Sequence, residues 1–198
     1  MANTQSTFGF QFYGYLPGYA VDQQYSVRQI QSSYASAIWF GDPVIKSAAS
    51  PYIQVGLGTG NLTAMAGIFY GCTYVPSAGG APVWSPWFPG SVKTDATAYL
   101  ISAPGAMFKV AALLTAVPTT AVGDNIGWST GAGGTSVGQG FSTFTVDQGT
   151  LTTGPSAPFT IVKMYDGVGN GADTTTSYNW VIVAFNNQFL RAGATAVA

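Results

Sequence analysis

Chain breakers cut this sequence into short pieces. Glycine occurs 26 times and proline 11 times, spread along the whole length. Between them lie short runs rich in Val, Ile, Thr, Tyr, Phe and Trp. Such a pattern reads as many short strands joined by turns. The expected strands are "QYSVRQI", "SAIWF", "PVIKSA", "YIQVGL", "AGIFYGCTYV", "AMFKVAALL", "GFSTFTV", "FTIVKMYD" and "YNWVIVAFNNQFL". Such a series of short strands predicts an all-β fold, a β-sandwich or barrel. At most one or two short helices are expected, over "DATAYLI" (95–101) or "AMFKVAALLTA" (106–116). In "FTIVKMYD" the alternation points Ile161, Lys163 and Tyr165 one way and Val162, Met164 and Asp166 the other. The run Trp180 to Phe185 is apolar at every position, which places it in the middle of the fold or against a partner.

The first 24 residues differ from the rest. Phe8, Phe10, Phe12, Tyr13, Tyr15 and Tyr19 stand among Gly and Gln. The period-2 part, Phe8-Phe10-Phe12, predicts an extended segment laid on a surface, a neighbour's included. Two parts follow from this: an extended N-terminal arm, 1–24, and a β-sandwich or barrel body, 25–198. At 198 residues the chain can bury a core without disulfide or metal staples.

Charge is scarce. Only 7% of residues are charged, six basic and seven acidic, and there is no His and no Glu. Soluble monomers usually carry about a quarter. A surface of Ser, Thr, Gln, Asn and Gly suits burial against other protein chains. The six basic residues are scattered, so the phosphate-neutralising cluster that nucleic acid requires is missing. The single Cys72 rules out an internal disulfide framework, and one Cys with no His builds no zinc site. Cys72 reads as a small buried hydrophobe, with an intermolecular disulfide as the alternative. "MANTQSTFGFQFYGY" lacks the basic and apolar regions of a secretory signal. The apolar stretch "VAALLTAV" is far too short to span a membrane. Synthesis in a reducing cytoplasm is expected, with no membrane partner.

Several stretches invite a chemical reading. In "SAIWFGDPV" (36–44), Asp42 is either a working carboxylate or the corner of a strand connection. Asp in a turn bonds nearby backbone, and Pro43 pushes Asp42 into extended geometry. A catalytic Asp needs a second carboxylate, a His or a metal, and the sequence offers no His. The corner is the reading adopted. "VGLGTGNL" (55–62) has neither dinucleotide-loop spacing nor a following Lys-Ser/Thr, and reads as a turn. "DGVGNGAD" (166–173) offers Asp166, Asn170 and Asp173 to calcium, but its spacing is not that of an EF-hand and a long hairpin loop is expected. In "PSAGGAPVWSPWFPG" (76–90), Trp84, Trp87 and Phe88 sit in a proline-stiffened loop. They are hot-spot material for a protein, a stacking surface for sugars, or part of the core. Nothing forms a catalytic constellation; neither enzyme activity nor a cofactor is expected.

The order of "FGF" (8–10), "IQSSYASAIWFGDPV" (30–44), "AGIFYGCTYV" (66–75), "WSPW" (84–87), "DATAYLISAPGAMFKV" (95–110), "AVGDNIGW" (121–128) and "NWVIVAFNNQFL" (179–190) resembles a family of small tailed-phage structural proteins. These are typically encoded beside the major capsid protein, and some are capsid decoration or cement proteins. The basic residues often found after "FGF" in that family are missing here. The resemblance implies a structural virion protein on the outer surface of the capsid, bridging capsomers. Its partners would be the major capsid protein and copies of itself, as a dimer or trimer. The expected contact residues are Phe8, Phe10, Phe12, Tyr13, Tyr15, Trp84, Trp87 and Phe88. The alternative is another virion component: a head fibre, a tail protein or a host glycan-binding module.

Overall fold

The architecture comes from a computed structural model that describes residues 2–5, 7–19, 25–48, 50–57, 65–130 and 142–188. Twelve strands make two antiparallel sheets in a sandwich-like arrangement. The first sheet contains β1 (Gln11–Tyr15), β8 (Ala106–Ala111), β9 (Asn125–Ser129), β10 (Thr145–Thr152), β11 (Phe159–Met164) and β12 (Trp180–Phe185). Its order is β1-β8-β12-β11-β9-β10. The second contains β2 (Ser26–Ile30), β3 (Pro43–Lys46), β4 (Ile53–Val55), β5 (Met65–Tyr74), β6 (Val83–Ser85) and β7 (Ala96–Ile101). Its order is β2-β7-β5-β3-β4, with β6 added on β5. The only helical element among the described residues is one 3-10 turn, Thr119–Ala121.

Both segments offered as helices are strands. Ala96, Ala98 and Leu100 of β7 are buried while Thr97, Tyr99 and Ile101 are not, and Ala106, Phe108 and Val110 of β8 alternate with Met107 and Lys109 in the same way. Period 2 decided the outcome over the helix propensity of Ala, Leu and Lys. The "SAIWF" run is not a continuous strand; Ile38 makes only an isolated bridge to Phe88.

β12 lies between β8 and β11, and Val181 to Phe185 are all buried. Val181, Val183 and Phe185 join the core. Ile182 faces the other way. In register it stands between Lys109 of β8 and Lys163 of β11. Lysine stems can lie on apolar surface while the ammonium reaches water, and Ile182 is fully buried. A register shift between Ile161 and Lys163 interrupts β11. It brings Met164 against the core, correcting the simple alternation.

The sheets share one hydrophobic cluster that runs from Phe10 to Phe185. Phe159 is at its centre, stacked on Phe10 and Phe185 and edge-on to Trp128. Trp128 of β9 reaches across, its Nε1–H donating to the Gly56 carbonyl at 2.8 Å. Any Cβ on Gly56 would collide with that indole. Each sheet also curls. Ala112, just past β8, bridges Val146 of β10, and β2 approaches β4.

Candidate partner interface

In the described part of the 1–24 segment Gln11–Tyr15 form β1 and Leu16–Tyr19 a turn, and the segment lies on this chain's own body. β1 pairs with the edge of β8, Phe12 opposite Phe108. Gly9 sets the geometry. Its φ of +69° is open to Gly and strained for other residues. That turn sends Phe8 and Phe10 to opposite sides, so Phe8, Phe10 and Phe12 do not form one face. Phe10 is buried in the core, stacked on Phe159 at 4.6 Å. Its ring is not at the surface of the folded chain, where a partner would meet it. Phe8 packs edge-on against Trp180 at 4.9 Å. Tyr15 is partly buried against the core. Phe12 and Tyr13 remain 44% and 43% exposed, on an edge strand.

Phe8 also helps to enclose a cation. The Lys109 ammonium lies 4.7 Å from the Trp180 ring centre, 5.3 Å from Phe8 and 5.5 Å from Tyr165. The ring faces carry negative quadrupole potential and attract it. Lys163 lies 5.4 Å from the Tyr13 ring and pairs with Asp166 at 3.0 Å. Further upstream the chain is clamped. Asn170 Oδ1 accepts from Thr4 N–H at 2.7 Å, and its Nδ2 donates to the Thr4 carbonyl at 3.1 Å. Asn3 Oδ1 accepts from Gly171 N–H at 2.9 Å, and its Nδ2 donates to the Asp173 carbonyl at 2.6 Å. Two Asn side chains thus imitate strand pairing across 166–177.

This accounts for the proposed calcium loop. Asp166 is engaged by Lys163, and Asp173 Oδ1 accepts from the Thr175 N–H and hydroxyl. The oxygens serve separate partners instead of converging. Among the described residues, no three His, Cys, Asp or Glu side chains form a metal-holding group.

The Trp loop divides. Trp84 lies on β6 and is 57% exposed. Trp87 is stacked on Trp39 at 4.9 Å with an interplanar angle of 13°. Phe88 is buried, its backbone bridged to Ile38, and so belongs to the core and not to a contact surface. Ser85 Oγ accepts from Trp87 N–H and fixes the turn. Cys72 beneath is buried, and burial pushes its thiol up to about 12.

Asp42 is a corner, and more than that. It is buried, and its Oδ2 accepts from Trp39 N–H at 2.8 Å. Its backbone carbonyl accepts from Phe69 N–H, while the Gly41 carbonyl accepts from Phe10 N–H. The corner therefore joins β5 to the N-terminal segment. Oδ1 is buried with no hydrogen-bond partner. Burial lifts the carboxyl to about 7, against the pull of the Trp39 N–H and the Ser142 hydroxyl. Of "VGLGTGNL", residues 58–62 lie outside the described residues.

One exposed group escaped the sequence reading. Tyr25 and Val27, at the second sheet's edge, are exposed, and Tyr25 stacks on Tyr70 at 4.2 Å. The signal was present in "QYSVRQI", where Tyr25, Val27 and Gln29 alternate with Ser26, Arg28 and Ile30. Comparison with protein-family models, with curated proteins and with solved structures returned no match.

Proposed function

We propose that this chain is a structural virion protein that decorates the outer surface of a tailed-phage head and reinforces contacts between capsomers. The observation that carries the reading is the exposed aromatic pair Phe12 and Tyr13 on edge strand β1. An edge strand offers unpaired backbone groups to another chain, and exposed aromatics are the commonest interface anchors. The 7% charged fraction supports it, since such a surface is better covered than solvated. The order of sequence motifs points the same way. Contact then falls to Phe12, Tyr13 and Trp84, with Phe10 and Phe88 excluded by burial and Phe8 turned toward Lys109. Many copies bound in register sum modest affinities into a stable coat.

Co-sedimentation tests this. Purified protein is mixed with DNA-filled heads assembled without it. Saturable pelleting at a fixed ratio to the capsid subunit, weakened by Phe12→Ala or Tyr13→Ala, is the expected result. No pelleting at micromolar concentration would move the assignment to a fibre or tail component.

A further inference from the structure

The outer face of the second sheet carries a second, separate surface. Residues opposite one another in antiparallel register share a face. Val27, Tyr99 and Gly71 are in register across β2, β7 and β5. Gln29, Thr97, Thr73 and Trp84 are in register across β2, β7, β5 and β6. Their neighbours Ile30, Ala96, Ala98 and Cys72 are fully buried, so these two rows look outward.

The missing side chain at Gly71 shapes the face. A Cβ there would stand 3.0 Å from Cζ2 of Trp84 and 3.4 Å from Cε2. The indole therefore lies over bare backbone. One side of the ring rests on the sheet, and more than half of the residue remains exposed. From Gly71 to Val27 the row spans two strand spacings, about 10 Å.

No charged side chain belongs to either row. The nearest carboxylate on this stretch, Asp95, is held by the Tyr52 hydroxyl and Ser32 N–H. Thr73 stands beside Trp84 in its row, and the hydroxyls and amide of Thr97, Tyr99 and Gln29 continue the face across β7 and β2. This selects against anionic ligands such as nucleic acid, which need clustered cations. The nearest cation, Arg28, donates to the Val27 carbonyl, and a single cation is no cluster of charge for an ionic protein surface to meet. A neutral sugar polymer matches both features. Its C–H faces carry partial positive charge and pack on the negative face of an aromatic ring. Its hydroxyls exchange hydrogen bonds with Thr, Tyr and Gln.

We infer that the outer face of the second sheet, centred on Trp84 with Tyr99 and Val27, is a binding platform for an extended neutral polysaccharide. The site does not use the edge strand β1; it shares only Trp84 with the capsid contacts proposed above, and a sugar-binding readout separates the two.

Affinity electrophoresis through native gels tests it. The gels contain dextran, laminarin, galactomannan or, as the charged control, polygalacturonate. At least one neutral polymer should retard the protein. Trp84→Ala should weaken that binding about tenfold, as loss of a central aromatic anchor does. Val27→Asp should weaken it further by placing a charge on the face, and Phe12→Ala should leave it unchanged. Because Trp84 and Val27 are exposed, urea midpoints equal to that of the parent protein should verify that both variants fold. Absence of retardation in every neutral polymer overturns the assignment. So does retardation by polygalacturonate alone, or retardation that Trp84→Ala does not change. Loss of head co-sedimentation or of self-association in Trp84→Ala, without any sugar binding, would make the face a protein interface instead.

Discussion

Replacing Asp42 by Asn should remove most of the pH dependence of stability between pH 4.5 and 7. The carboxyl rises from an ordinary value of 3.8 to about 7 because the corner buries it. In that interval the folded chain holds a proton that the unfolded chain has released. Raising pH therefore favours unfolding, with a slope approaching 1.4 kcal/mol per pH unit. The stabilisation is complete below about pH 4 and is lost as pH rises through about 7. Across roughly three units it amounts to about 4 kcal/mol. The sequence makes the measurement clean: it has no His and no Glu. Asn keeps the acceptor for Trp39 N–H but puts an NH2 where Oδ1 lacks a partner. That buried donor costs about 1–3 kcal/mol. The variant should thus be less stable than the parent at pH 4.5 and more stable, by about 1–3 kcal/mol, at pH 8. Urea unfolding followed by Trp fluorescence at half-unit pH steps gives both curves. A parent curve that is flat or rising between pH 4.5 and 7, or a variant with the parent's slope, would refute the reasoning.

Three further outcomes rest on the N-terminal segment and the core. Phe10→Ala should lower unfolding free energy by about 3–5 kcal/mol, whereas Phe12→Ala should change it by less than about 1 kcal/mol; urea midpoints compare the two. Gly9→Ala should destabilise by about 2 kcal/mol or more, because φ is +69° and the new Cβ meets Ser142; a melting temperature within a degree of the parent's would show that the segment is not seated as described. Cys72 should resist a thiol reagent at pH 8 and react only at the rate of unfolding, since it is buried with its pKa pushed up to about 12.

The strands were legible because their signal is local. β8, β11 and β12 stand out in the residue pattern, and the central place of β12 follows from its unbroken apolar run. "DATAYLI" misled because small alanines on the inner face look like helix formers until opposing strands fix their period. The N-terminal aromatics misled for a related reason. Alternation predicts one face for Phe8 and Phe10, and a single glycine at positive φ overrules it. The Lys109 cage was out of reach, because its rings come from positions 8, 165 and 180. Asp42 was correctly placed at a corner, yet its buried, unpartnered oxygen depends on Ser142 and the 8–10 segment, far away in sequence. The Trp84 platform depends on a glycine thirteen residues earlier in the chain, which no local pattern reveals.

The clamp between Asn3 and the 170–176 region has a consequence for the birth of the chain. Phe10 is synthesised well before Phe159, its stacking partner, and Thr4 well before Asn170, which grips it. At roughly 5–20 residues per second, translation separates them by about 10–30 s. For that time the aromatic segment lacks the Phe159 stack and the Asn170 clamp, and is less firmly held on its own body. Chains growing side by side on one message present identical β1 segments to one another's half-made sheets. The order of synthesis thus opens an interval for exchange of β1 between copies, which closes once β12 is in place beside β8.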